Sequence, residues 1–202
     1  HRVVGVDVDR AMLARARSRA TAAGVADRVR LVEADLRDVR LPDAGRYRLA
    51  FVALNTLLLL AERADQAAAV ETLAAHLAPG GLAVVDVWLP DADDLGRFDG
   101  RLALEYVRRE PSSGRLVAKL TSAVHDPVRA TVELTTIHDE GAEGEPPVRW
   151  IRHDRLRLVG VDELVGFVES AGLRVEQLAG GYDLGPLGPG SERVVLVATR
   201  PE

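Results

Sequence analysis

The chain has 202 residues, 47% of them hydrophobic, a formal net charge of −5 and no cysteine. That length suits one domain with a real core. The acidic balance argues against a nucleic-acid partner, which would call for a basic face, and the lack of cysteine excludes disulfides and thiolate metal sites and fits a cytoplasmic protein.

No apolar run approaches the ~20 residues of a membrane helix, so no membrane partner is expected; the longest candidate, Leu57 to Ala61, is far too short. The start, His1-Arg2-Val3-Val4-Gly5, lacks the layout of a secretory leader. It opens on His1 rather than Met, already inside an apolar run, so the sequence is expected to be a processed, truncated or partial product.

Val3 to Val8 is β-branched and almost uninterrupted, which predicts a buried strand. Asp9 can cap the helix that follows to about Ala23, with Leu13, Ala16 and Ala20 on one face and Gly24 ending it. Two further strands are expected at Val29–Glu33 and Arg48–Leu54, a helix at Gln66–Leu77, a turn at Pro79-Gly80-Gly81 and a strand at Leu82–Trp88. This alternation is that of a parallel sheet with covering helices.

After Pro90 the pattern changes. Leu102–Arg109, Leu116–His125, Ala130–His138 and Val148–Leu158 predict an antiparallel meander, with connections at 111–114, 126–127 and 141–147. Thr131 to Ile137 alternates with period two. A last helix from Val161 and strands at Leu173–Leu178 and Arg193–Thr199 follow. One domain is expected, with a core over 1–90, a β insertion or flap over 101–158 and a C-terminal helix and strand pair over 161–202. The exposed strands of the flap could pair two copies into a homodimer.

Ligands of open parallel sheets bind at the carboxyl ends of the strands. Asp7 ends the first strand there, and a carboxylate can take two ribose hydroxyls; a helix cap is the plainer reading for Asp9. Met12, on the next helical turn, can cover an adenine face or simply fill the core. Asp35 follows the second strand, where it can take an adenine amino group while the Leu36 amide meets a ring nitrogen; it could also be a turn aspartate. Asn55-Thr56 ends the third strand on the same rim. The histidine spacings make no metal cluster.

The segments 3–16, 29–38, 47–57 and 77–87 resemble, in that order, the second to fifth strand segments of class I S-adenosylmethionine-dependent methyltransferases, and 161–199 resembles their last helix and antiparallel strand pair. The resemblance implies a Rossmann-like α/β sheet with an antiparallel β insertion. It also implies S-adenosylmethionine as cofactor, with Asp7 and the adjoining Val8 at ribose, Met12 beside adenine, Asp35 and Leu36 at the adenine edge and Asn55 near the methionyl end. The family's first strand and Gly-x-Gly-x-Gly turn would stand just before His1, and no segment of the 202 residues supplies that pattern. A gap is therefore expected between the strands at 3–8 and 48–54, and weak cofactor binding by these residues alone.

Such enzymes work mostly by positioning and desolvation, so no catalytic base is assigned. Thr56, Trp88, Arg152, His153 and Tyr182 are candidates for the acceptor pocket, and a small molecule with a nitrogen or oxygen nucleophile fits the acidic chain. Two other classes remain open: a nicotinamide-dependent oxidoreductase, since an acidic residue after the second strand also serves its ribose, and a non-catalytic interaction module.

Overall fold

The computed structural model describes residues 1–111, 113–142 and 144–202; Ser112 and Glu143, inside two of the expected connections, lie outside the described residues. The first unit is β1 (Val3–Asp7), α1 (Arg10–Ala22) and β2 (Val29–Glu33). β1 and β2 pair in parallel from Val3 with Val29 to Asp7 with Glu33. Asp9 caps α1 as expected, its carboxylate accepting from the N–H groups of Ala11 and Met12. Leu13 is the residue of this helix that is buried.

The second unit is a four-stranded sheet in the order β3 (Tyr47–Val52), β4 (Leu77–Trp88), β10 (Arg193–Thr199) and β9 (Arg174–Ala179). β3 and β4 are parallel, and the C-terminal pair is antiparallel as the sequence implies. Two helices, α2 (Arg63–His76) and α4 (Val161–Ser170), cover one face. Val70, Leu73, Leu164, Phe167 and Val168 pack there against Val52, Val85, Val87 and Leu196. Burial of such side chains is worth roughly 1.5–3 kcal/mol each, and this is the main core.

The opposite face carries Leu49, Phe51 and Leu82, which stay exposed. Among the described residues no helix covers this face; α1 packs on the separate β1–β2 pair. No strand pairing joins β1 to β3 among the described residues. A cleft of ≈ 360 Å³ lies there instead, lined by residues of both units including Arg2, Val4, Val29 and Tyr47.

The turn expected at Pro79-Gly80-Gly81 is absorbed into β4 as a kink. Gly80 has φ +71°, and a Cβ on Gly81 would meet the carbonyl oxygens of Ala78 and Tyr47 at 2.8 Å. The register against β3 shifts at this point.

A short capped helix, α3 (Ala92–Gly96), leads into the flap. The flap is a separate antiparallel sheet in the order β5 (Ala103–Arg109), β6 (Leu116–Asp126), β7 (Thr131–Gly141) and β8 (Val148–Arg157). Its inner face carries Ala123 and Val132, both buried, and Leu156, which packs on the core. Its outer face carries the cross-strand row Leu104, Leu120, Ile137 and Ile151. At the base of β8, Arg157 binds Gln66 on α2 and Glu163 on α4.

Candidate active site

The site residues named from the sequence fall in two groups, one at the ends of β1 and β2 and one after β3. The first group is Asp7, Val8, Met12, Asp35 and Leu36 at the ends of β1 and β2. The backbone tie Ala34 N–H to Asp7 O, 3.1 Å, extends the strand pairing to this edge. Oδ1 of Asp7 accepts the Asp9 N–H at 2.8 Å. That bond orients Asp7 by closing a tight turn and leaves Oδ2 without a protein partner among the described residues. The N–H groups of Val8 and Leu36 make no hydrogen bond among the described residues. Met12 is exposed on the first turn of α1 beside them.

Asp35 is held more firmly. The fork of Arg37 reaches both of its oxygens, with Nε 3.0 Å from each and Nη2 at 2.7 Å from Oδ2, and the Arg37 N–H adds a bond of 2.9 Å to Oδ1. These side-chain and backbone hydrogen bonds hold the Asp35 carboxyl below its usual range. A fixed carboxylate beside a free backbone N–H offers one acceptor and one donor side by side. That pair complements the amino group and ring nitrogen of adenine, so the residues present fit the adenosine half of S-adenosylmethionine.

The second group lies across the gap, at the ends of β3, β4 and β10. Leu54 and Asn55 both adopt left-handed backbone, φ +57° and +63°, at a cost of order 1–3 kcal/mol each for non-glycine residues. Two crossed bonds hold them: Leu54 N–H to Asp86 Oδ1 at 2.9 Å, and Trp88 N–H to Asn55 Oδ1 at 2.7 Å. The Asn55 amide NH2 is thereby left without a protein partner among the described residues. Thr56 turns back to the carbonyl of Ala53 at 2.7 Å.

Asp86 is the centre of this group and was not singled out in the sequence. It is 1% exposed. Oδ2 accepts the Tyr182 hydroxyl at 3.0 Å and Arg193 Nη1 at 3.2 Å, and Arg193 also donates to the Tyr182 oxygen at 2.8 Å. The Arg193 guanidinium lies 4.6 Å over the Tyr182 ring. Loss of water around the hydroxyl, then its bond to Asp86 and that residue's charge, push the Tyr182 phenol up, with Arg193 pulling the other way. A carboxylate inside Leu82 to Val87, an otherwise apolar strand, is the signal that marks it.

Trp88, Tyr182 and Thr56 are thus brought together around Asp86 and Asn55. Trp88 also packs on Phe98, ring centroids 5.9 Å apart. Arg152 and His153 are adjacent on β8 and face opposite ways. Arg152 shares the inner face with Thr136 and pairs with Asp154. His153 shares the outer face with Ile151, and its Nδ1 lies 3.0 Å from the Thr135 hydroxyl. No group of three or more metal-binding side chains occurs among the described residues, and no helix there is long and apolar enough to cross a membrane.

Residues 1–81 match the model of a methyltransferase domain family. A dTDP-3-amino-3,4,6-trideoxy-alpha-D-glucopyranose N,N-dimethyltransferase of Streptomyces venezuelae is 32% identical over 184 residues, covering 88% of this chain and 68% of that protein. Among solved structures, an S-adenosylmethionine-dependent methyltransferase of Clostridium acetobutylicum superposes with a TM-score of 0.83 at 15% identity, over 100% of this chain and 76% of its own. An S-adenosylmethionine-bound amino pentose methyltransferase of Micromonospora echinaspora, from calicheamicin biosynthesis, superposes at 0.73 and 24% identity, over 98% and 74%.

Proposed function

Because the chain belongs to the class I S-adenosylmethionine-dependent methyltransferases, we propose that it methylates the amino nitrogen of a small sugar acceptor. The observation that carries the choice of nitrogen is the likeness to the Streptomyces venezuelae dimethyltransferase, whose named acceptor is an amino sugar on a nucleotide carrier. The net charge of −5 agrees with a small acceptor rather than a nucleic acid. A cytoplasmic location follows the same reading.

When bound, S-adenosylmethionine supplies a methyl group on a sulfonium, open to in-line attack. The chain's part is to position both reactants and exclude water. Asp7 accepts the ribose hydroxyls with its free oxygen, and the Val8 N–H faces the same edge. Asp35 and the Leu36 N–H take the adenine edge, and Met12 covers one ring face. The free NH2 of Asn55 faces the methionyl end. Trp88, Thr56 and Tyr182 border the acceptor, with Arg152 on the inner side of the flap; His153 belongs to the outer side. The paired Tyr182 and Arg193 lock the loop at 180–191 to the rim, which holds the acceptor wall in one place.

The outer face of the flap is the surface on which a second copy docks. Its apolar row is flanked by the bidentate pair Arg149–Asp139 and by Arg155–Glu133. Both charge signs around an apolar centre suit a two-fold, self-complementary contact. Sedimentation should show a dimer that Ile151→Asp converts to a monomer; a monomeric wild type overturns this.

The acceptor reading is tested by incubating the full chain and S-adenosylmethionine with nucleotide-linked amino sugars and with their hydroxyl counterparts. A mass gain of one or two methyl groups on the amino compounds alone is expected. Methylation of the hydroxyl series instead would move the assignment to oxygen.

A further inference from the structure

Arg37 is tied to three residues. Its fork and its N–H engage both oxygens of Asp35. Its remaining terminal nitrogen, Nη1, reaches Asp65 Oδ2 on α2 at 3.0 Å. Its carbonyl accepts the Thr72 hydroxyl, also on α2, at 2.9 Å. The guanidinium is therefore a bridge between the end of β2 and the helix that covers the main sheet.

We propose that Arg37 is the positioning residue that makes Asp35 selective for adenine over its 6-oxo counterpart. The proposal rests on the reading that Asp35 meets the adenine edge. A lone carboxylate on a turn can rotate about two side-chain bonds and turn its lone pairs away from a ligand. The Arg37 fork fixes the plane of the carboxylate against a rigid, planar partner. A carboxylate offers about four lone-pair directions, and the Asp35 side chain keeps 32% of its surface exposed. The accessible side can accept the adenine amino group. A 6-oxo base puts an oxygen lone pair there instead and is repelled, provided the carboxylate cannot swing aside.

The same bonds keep the acid ionised: the hydrogen bonds from Arg37 are what lower the Asp35 carboxyl, and those to Asp35 and Asp65 raise the guanidinium in return. Arg37 does not touch the reacting atoms. Its effect shows in which base is bound.

Calorimetry of the full chain with S-adenosylhomocysteine and S-inosylhomocysteine measures this as a ratio of two dissociation constants. Wild type should prefer the adenine compound by roughly tenfold or more, the scale of one charged hydrogen bond gained or lost. Arg37→Met should bring the ratio close to one. Arg37→Lys keeps the charge but not the fork, so it should also lose most of the preference, and it remains informative should the Met variant fold poorly. Asp35→Ala is the reference. If Asp35→Ala abolishes the preference while both Arg37 variants keep it, the proposal is overturned and the adenine reading of Asp35 stands. If Asp35→Ala leaves the preference intact, the adenine reading fails and takes the proposal with it.

Discussion

Asp86→Ala removes the acceptor on which the second half of the rim is built. The buried carboxylate serves Leu54 N–H, the Tyr182 hydroxyl and Arg193. Without it the Leu54 N–H loses its side-chain acceptor, at a cost of about 1–3 kcal/mol. Arg193 loses its counter-charge, but its side chain is 29% exposed and still lies on the Tyr182 ring. It therefore takes the lower part of the ~3–5 kcal/mol range for breaking a buried ion pair. The two losses share one deleted group and do not add in full. A total of about 3 kcal/mol is expected, a large share of a typical stability of ~5–15 kcal/mol. Urea unfolding should show it as a midpoint lowered by roughly 1–3 M, given a slope of ~1–3 kcal/mol/M. Adding Arg193→Met removes the orphaned cation, so the double variant should lose less than the two single losses combined. Hydrogen exchange should rise at 180–191, the loop that Tyr182 anchors. A loss under ~1 kcal/mol, or fully additive single losses, would refute the view of Asp86 as the brace of the rim.

Asp7 and Asp9 stand two residues apart and should separate by assay. With the family's first strand and glycine-rich turn restored ahead of His1, Asp7→Ala should weaken S-adenosylmethionine by about 1–3 kcal/mol in calorimetry, with little effect on melting. Asp9→Ala should cost about 1 kcal/mol of stability through the lost cap and leave affinity nearly unchanged. Glu163 gives a pH test. Burial pushes its carboxyl up, but the hydrogen bonds and charge of Arg157, with help from Arg63, outweigh that and hold it below its usual value. A carboxyl lowered on folding adds stability above its unfolded pKa, near 4.3, and loses it as pH falls through the folded value. Glu163→Gln should thus cost about 1 kcal/mol at neutral pH, discounted for the exposed Arg63. That difference should shrink as the pH drops below ~4; a difference that grew on acidification would contradict the assignment.

The parts of the fold written in short-range pattern were legible. Asp9 precedes an apolar stripe with the spacing of a helix, and the period of two in Thr131 to Ile137 is that of the strand β7. The positions of Asp7, Asp35 and Asn55 were legible for a different reason: Asp7 ends β1, and Asp35 and Asn55 closely follow β2 and β3. The brace around Asp86 was not, because its partners Tyr182 and Arg193 lie 96 and 107 residues away and meet it only after β10 pairs with β4. The pairing of Arg37 with Asp35 is local, yet its geometry depends on a turn and on Asp65 from α2. Pro79-Gly80-Gly81 predicts a break, and the parallel partner β3 carries the chain through it as a kink. Arg152 and His153 look equivalent in sequence until register assigns them to opposite faces of the flap.

The most direct test of the adenosine site is a crystal structure of the full chain with S-adenosylhomocysteine bound. The adenine amino group should lie within hydrogen-bonding distance of the Asp35 carboxylate and a ring nitrogen within reach of the Leu36 N–H, with the ribose hydroxyls on Asp7 and the Met12 side chain against the base. Density for the adenosine anywhere other than the ends of β1 and β2, or a base held there without Asp35 and Leu36, would contradict the account.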